Sequence, residues 1–189
     1  MTTEKRLKLD QLFMRTAYEF QNLSHCVRLK VGAVITKDDR IVSCGYNGTP
    51  KGWHNCDDFN CDIEPDDLQT NLENSKRHHL FSEQYEIHAE MNAIIDMAKR
   101  GISPIGCTLY TTIAPCKNCA KLVIASGINR IVFDKFYDRD IEQQLKSRAD
   151  IKTADNDLWN WVYKDLNGID IINLLTANSP NEIEIIKLS

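Results

Sequence analysis

Leu9, Leu12, Phe13, Phe20 and Leu23 recur near helical spacing and predict a first helix over residues 6–23. Val31 to Thr36 and Ile41 to Tyr46 are short β-rich runs. They flank Lys37-Asp38-Asp39-Arg40, which reads as a hairpin turn. From His88 to Ala98 the apolar residues Ala93, Ile94, Met97 and Ala98 fall on one stripe, and Asn92, Asp96, Lys99 and Arg100 on another. That is helical periodicity again. Cys107 to Thr112 predicts a third strand, 116–126 an apolar helix, and Arg130 to Phe133 a fourth strand, with Gly127 and Asn129 marking the turn before it. A strand-helix-strand unit implies parallel pairing. The order α-β-β-α-β-α-β predicts one three-layer α/β domain with a mixed sheet across the whole chain.

Two stretches do not follow this rhythm. Residues 47–87 pass through Gly48, Pro50 and Gly52, several acidic residues and Lys76-Arg77-His78-His79, with little apolar periodicity. A structureless stretch of that size is long for a compact domain. It also holds Cys56, Cys61, His54, His78 and His79. Two readings stay open: a mobile solvated loop, or a segment stapled by a metal because it is too polar to build a core. In the tail, residues 139–189, Leu158, Trp159, Val162 and Leu166 suggest an amphipathic helix. The aromatics Trp159, Trp161 and Tyr163 suggest packing or a subunit interface, and Ile183, Ile185, Ile186 and Leu188 a terminal strand.

Composition narrows the class. Hydrophobic residues make up 42% and charged residues 26% of 189, as in ordinary soluble domains. No apolar run approaches the roughly 20 residues of a membrane helix. Met1 to Asp10 is charged and lacks a signal peptide's apolar core. The expectation is a cytoplasmic protein without a membrane partner. A net charge of −4 argues against nucleic acid as a partner but leaves room for a small anionic substrate. Seven cysteines, an odd number, point to a reducing compartment rather than a disulfide framework. Cys44 and Cys107, inside strand-like runs, read as small buried hydrophobes.

The chemistry lies in a split signature. His88-Ala89-Glu90 is followed by Pro115-Cys116-Lys117-Asn118-Cys119. One imidazole and two thiolates are three zinc ligands that leave a fourth position open. Residues two apart in a regular helix do not share a face, so His88 and Glu90 can meet at one ion only off the helix end. Cys116 and Cys119, spaced i, i+3, bring both sulfurs together on one helical turn. Two helix N-termini would then point at one ion and favour thiolates. Either half is weak alone. Together, H-x-E with P-C-x-x-C is the pattern of zinc nucleobase deaminases.

At this level the chain resembles the deoxycytidylate (dCMP) deaminases of phage and eukaryotic type, within the zinc-dependent cytidine deaminase superfamily. The resemblance spans about residues 26–137. It rests on Lys30-Val31-Gly32-Ala33-Val34, Gly45-Tyr46-Asn47-Gly48-Thr49-Pro50, His88 to Ile94 and Pro115 to Lys121. It implies a cytidine deaminase-like three-layer α-β-α fold with a mixed central sheet, an insertion at about 50–86 and a variable extension from about 139. It implies a catalytic zinc on His88, Cys116 and Cys119, with Glu90 as acid and base, converting dCMP to dUMP and ammonia for thymidylate synthesis. Some members carry a second zinc, whose pattern matches Cys26, Cys56, His78 and Glu86; His79 competes with His78, and Cys61 with Glu86. The family is typically a homo-hexamer, activated by dCTP and inhibited by dTTP, with Mg²⁺ accompanying the nucleotide. Lys30, Asn47 and Tyr137 are the implied substrate or effector contacts; Asn47 also suits a left-handed turn position. Rival readings keep the chemistry but change the substrate to tRNA adenosine or a free base, or keep only the zinc in a non-catalytic binding module.

Overall fold

The computed structural model describes residues 2–64, 71–136, 169, 172–173 and 183–188. The elements, in chain order, are α1 (Thr3–Gln21), β1 (Gly32–Lys37), β2 (Arg40–Tyr46), α2 (Cys56–Phe59), α3 (Leu72–Tyr85), α4 (Ala89–Lys99), β3 (Thr108–Ile113), α5 (Lys117–Ser126), β4 (Arg130–Lys135) and β5 (Glu184–Lys187). The strands form one sheet in the order β2-β1-β3-β4-β5. The β2–β1 and β1–β3 pairs are antiparallel, while β3–β4 and β4–β5 are parallel. The sheet is therefore mixed, and α5 is the crossover that parallel pairing of β3 and β4 requires.

Side chains alternate across the pleat and divide the interior in two. Ala33, Ile35, Leu109 and Ile131 face α4 and α5, where they pack on Ala89, Ala93, Met97, Ala120 and Val123. Val34, Tyr110 and Val132 face α1 and pack on Phe13, Met14 and Ala17. This is the expected three-layer α-β-α arrangement with a mixed central sheet. Asp38 and Asp39 both adopt positive φ in the β1–β2 turn, as a tight hairpin with right-twisted strands demands. Cys107 lies fully buried in the first core and Cys44 packs partly buried against the second, in keeping with apolar roles. No helix among the described residues is long and apolar enough to cross a membrane.

The segment 47–87 departs from the structureless expectation. It carries α2 and the 14-residue α3. Asn71 caps α3 by accepting from the amides of Glu73 and Asn74. The helix escapes a search for an apolar stripe because its buried residues are Ser75, His78 and Phe81, a face more polar than greasy. At the described end of the tail the expected terminal strand forms: β5 pairs with β4 from Glu184 to Lys187. The proposed helix around Leu158, with Trp159, Trp161 and Tyr163, lies outside the described residues, as does Tyr137.

Candidate active site

β3 ends at Ile113, and the chain turns through Ala114 and Pro115 into α5. Cys116 is the N-cap of α5 and Cys119 lies in its first turn. His88 is the N-cap of α4, and Glu90 lies in that helix's first turn. Both helix N-termini thus converge on one spot, and His88 stands off the helix end as the two-residue spacing requires. His88 Nδ1 lies 3.4 Å from Cys116 Sγ and 3.4 Å from Cys119 Sγ. All three donor atoms fall within 4.8 Å of one another. One nitrogen and two sulfurs at that spacing fit a zinc ion that keeps a position for substrate or water. His88 and Cys116 are only half-buried, which leaves an approach from solvent.

The three groups perturb one another strongly. A hydrogen bond from Cys119 is the main cause that draws the Cys116 thiol down to about 3, against the opposing effect of burial, with His88 assisting. The Cys116 thiolate in turn pushes His88 up to about 9, again against burial. Cys119 moves upward, because it donates to Cys116 and is buried. Glu90 is 3% exposed. Burial raises its carboxyl above the ordinary range, and the neighbouring His88 only partly opposes this.

A second donor set lies on the other side of Ile87. Cys26, Cys56, His78 and Glu86 bring four donor atoms within 4.8 Å of one another. Cys26 Sγ sits 3.3 Å from His78 Nε2. Among the described residues, Glu86 Oε1 and His78 Nδ1 are both buried without a hydrogen-bond partner. A carboxylate oxygen with nothing to accept from, beside two thiols and an imidazole, fits a metal ligand set. Of the two competitors, His79 is exposed with its Nε2 3.8 Å from Glu83, and Cys61 is exposed.

The loop after β2 connects the two sets. Gly48 and Ile87 exchange backbone hydrogen bonds of 3.1 and 2.9 Å. Asn92 on α4 donates to the Tyr46 carbonyl at 2.8 Å. Ser24 Oγ donates to the Asn47 carbonyl at 2.8 Å and accepts from the Cys26 amide at 3.2 Å. Asn47 is not left-handed. Its Oδ1 accepts from the Val31 amide at 2.8 Å and its Nδ2 donates to the Leu29 carbonyl at 2.9 Å. Asn47 therefore braces the entry of β1, and its second amide hydrogen has no partner among the described residues. Lys30, between those two backbone partners, is exposed. Sequence reasoning missed Ser24, Asn92 as a loop anchor, and Asn60 beneath Cys56. Only the i, i+4 spacing of Cys56 and Asn60 could have flagged the last.

The family model for the cytidine and deoxycytidylate deaminase zinc-binding region matches residues 7–135. A deoxycytidylate deaminase of Enterobacteria phage T2 is 37% identical over 150 residues, 67% of this chain and 79% of that protein. The deoxycytidylate deaminase of Enterobacteria phage T4 is 33% identical over 186 residues, covering 85% of this chain and 94% of its own length. Among solved structures, the dCMP deaminase of cyanophage S-TIM5 in complex with dCMP and dUMP superposes with a TM-score of 0.62 at 28% identity, covering 100% of this chain and 99% of that one. On the match over residues 7–135 and these relatives, the chain belongs to the family that carries the cytidine and deoxycytidylate deaminase zinc-binding region.

Proposed function

We propose that this protein is a dCMP deaminase, converting dCMP and water to dUMP and ammonia. The observation that carries the reading is the buried Glu90 carboxyl beside the half-buried triad of His88, Cys116 and Cys119. A zinc held only for structure has no use for such a group. The choice of dCMP is supported by the T2 and T4 relatives and by the cyanophage enzyme that holds dCMP and dUMP.

A zinc ion on His88, Cys116 and Cys119 would supply a Lewis acid able to bring the pKa of water near 7. The residues of the chain do the rest. Deamination exchanges the amino nitrogen at C4 for a water oxygen. Protons must therefore leave the water, reach ring N3 and reach the departing nitrogen. Glu90 carries them in turn. Its raised carboxyl lies closer to neutrality than an exposed glutamate, where one group both takes and returns a proton. The N-terminus of α5, where Cys116 is the cap, favours the thiolate form of Cys116, the sulfur whose thiol is drawn down.

Cys26, Cys56, His78 and Glu86 would hold a second, structural zinc, closed by four protein donors. The dUMP formed would feed thymidylate synthesis. Activation by dCTP and inhibition by dTTP, with Mg²⁺ on the nucleotide, are part of the reading, as is a homo-hexamer. Lys30 and the second amide hydrogen of Asn47 are its nucleotide contacts, and the Gly45–Pro50 loop is its site of action. The test is ammonia release from dCMP, CMP, cytidine and a tRNA anticodon loop, with and without dCTP or dTTP. Preference for dCMP is expected; turnover of tRNA or cytidine alone would overturn the substrate. Rates indifferent to dCTP and dTTP would overturn the regulation and leave the chemistry standing.

A further inference from the structure

The second donor set carries excess charge. Cys26 and Cys56 as thiolates and Glu86 as carboxylate bring three negative charges against two on a zinc ion. A buried net charge is costly unless polar groups answer it. Around a metal, those groups are hydrogen-bond donors to its ligands.

Two N–H groups reach the Cys56 sulfur. One is the backbone amide of Val27. The other is the side-chain amide of Asn60, whose Nδ2 lies 3.5 Å from Sγ. Asn60 is 0% exposed, which is rare for an asparagine. The same Nδ2 donates to the Cys56 carbonyl at 2.9 Å, and the Asn60 backbone N–H reaches that carbonyl at 3.0 Å. These bonds fold the short helix α2 back on Cys56 and fix the amide beside the sulfur.

We propose that Asn60 is the positioning residue of the second centre: its amide N–H orients the Cys56 sulfur and offsets the charge that two thiolates and a carboxylate bring to one divalent ion. The proposal rests on a second zinc being bound at Cys26, Cys56, His78 and Glu86. Asn60 matches neither half of the signature that marks the reaction.

The test compares wild type, Asn60→Leu and Asn60→Ser, each with its zinc counted as isolated and each also substituted with cobalt(II). Leucine keeps the branched shape, with larger methyls in place of the amide, and removes the donor; serine keeps a hydroxyl donor. The Cys56→Ser protein supplies the spectrum of the first site for subtraction. In Asn60→Leu, one of two metals should pass to a chromogenic chelator at least ~10-fold faster, the scale on which partners of metal ligands act. The sulfur-to-cobalt charge-transfer band should shift to lower energy, with Asn60→Ser in between. A capping role alone would lower thermal stability without moving the band. Wild-type release and an unmoved band in Asn60→Leu would overturn the proposal, and Asn60→Ser is read by the same two criteria if the leucine variant does not fold. A wild-type protein that binds one zinc would instead overturn the second site itself.

Discussion

Glu86 and His88 stand two residues apart on one segment, and each turns its side chain into a different donor cluster. Ile87 between them is locked to Gly48 by reciprocal backbone hydrogen bonds. The polar insertion is therefore fastened directly to the entrance of α4. It is held by a cluster that shares no residue with the one beside Glu90.

That separation makes the metal content divisible. Wild type should carry about two zinc ions per chain, each set of donors matching a zinc site. Cys56→Ser should lower the count to about one and leave His88, Cys116 and Cys119 loaded. Loss of a structural ion of about 2–3 kcal/mol would lower the thermal midpoint by roughly 5–10 °C at this size. Metal analysis with a melting curve checks both. Loss of both ions from Cys56→Ser would mean the two clusters do not load independently.

Glu90→Gln keeps the shape of a buried side chain and removes its ability to move protons. The variant should fold, keep its metal and lose at least ~100-fold in kcat for dCMP, the scale of acid and base catalysis. Ammonia release under saturating substrate measures it. Turnover within a few-fold of wild type would remove Glu90 from the reaction.

The split signature was legible because ligand chemistry tightly constrains residue type and spacing: His88, Glu90, Cys116 and Cys119 announce themselves in order. The strands were legible to within a residue or two because β1, β3 and β4 bury both faces at their centres, where Ala33-Val34-Ile35, Leu109-Tyr110 and Ile131-Val132-Phe133 are apolar. α3 was not, since its inward face is Ser75, His78 and Phe81. A helix that packs against a polar donor cluster shows no hydrophobic period. The choice of His78 over His79 was equally hidden, because neighbours in sequence point about 100° apart on a helix that periodicity alone does not reveal. Asn47 was legible as important but not in what it does, since backbone bracing leaves no signature beyond the residue itself.

Gly45 is the point where β2 meets the catalytic helix. A Cβ there would lie 2.2 Å from the Ala89 carbonyl oxygen and 2.6 Å from the Ala93 amide nitrogen, both backbone atoms that cannot rotate away. Gly45→Ala must push β2 and α4 apart. The cost should be about 1–3 kcal/mol, as for other overpacked cores. Because α4 carries His88 and Glu90, activity should fall by about tenfold or more even where the fold persists. Denaturant unfolding and kcat/KM measured together check this. A variant with normal activity would show that the helix can move without disturbing the site.

Asp10 offers a prediction in pH. It is 3% exposed on α1 and receives hydrogen bonds from Arg130 at 2.9 and 2.7 Å, from Tyr110 at 2.7 Å and from Arg6 at 3.1 Å. Burial opposes its ionisation, but hydrogen bonds from Arg130 and Tyr110 and the charges of Arg130 and Arg6 outweigh it, and the carboxyl falls below its ordinary 3.8. A carboxyl depressed in the folded state adds stability above its unfolded value and loses it as pH falls through the folded one. Asp10→Asn should therefore cost about 3 kcal/mol at pH 7, since it removes the buried one of Arg130's two carboxylate partners and leaves only the exposed Glu184. The gap from wild type should start to close near pH 3.8 and vanish below the folded pKa, because both proteins then present a neutral group to Arg130. Urea unfolding of the pair from pH 7 to pH 3 measures it. A gap that stays constant across that range would mean that the Asp10 charge adds nothing, and that α1 is held on β3 and β4 by packing alone.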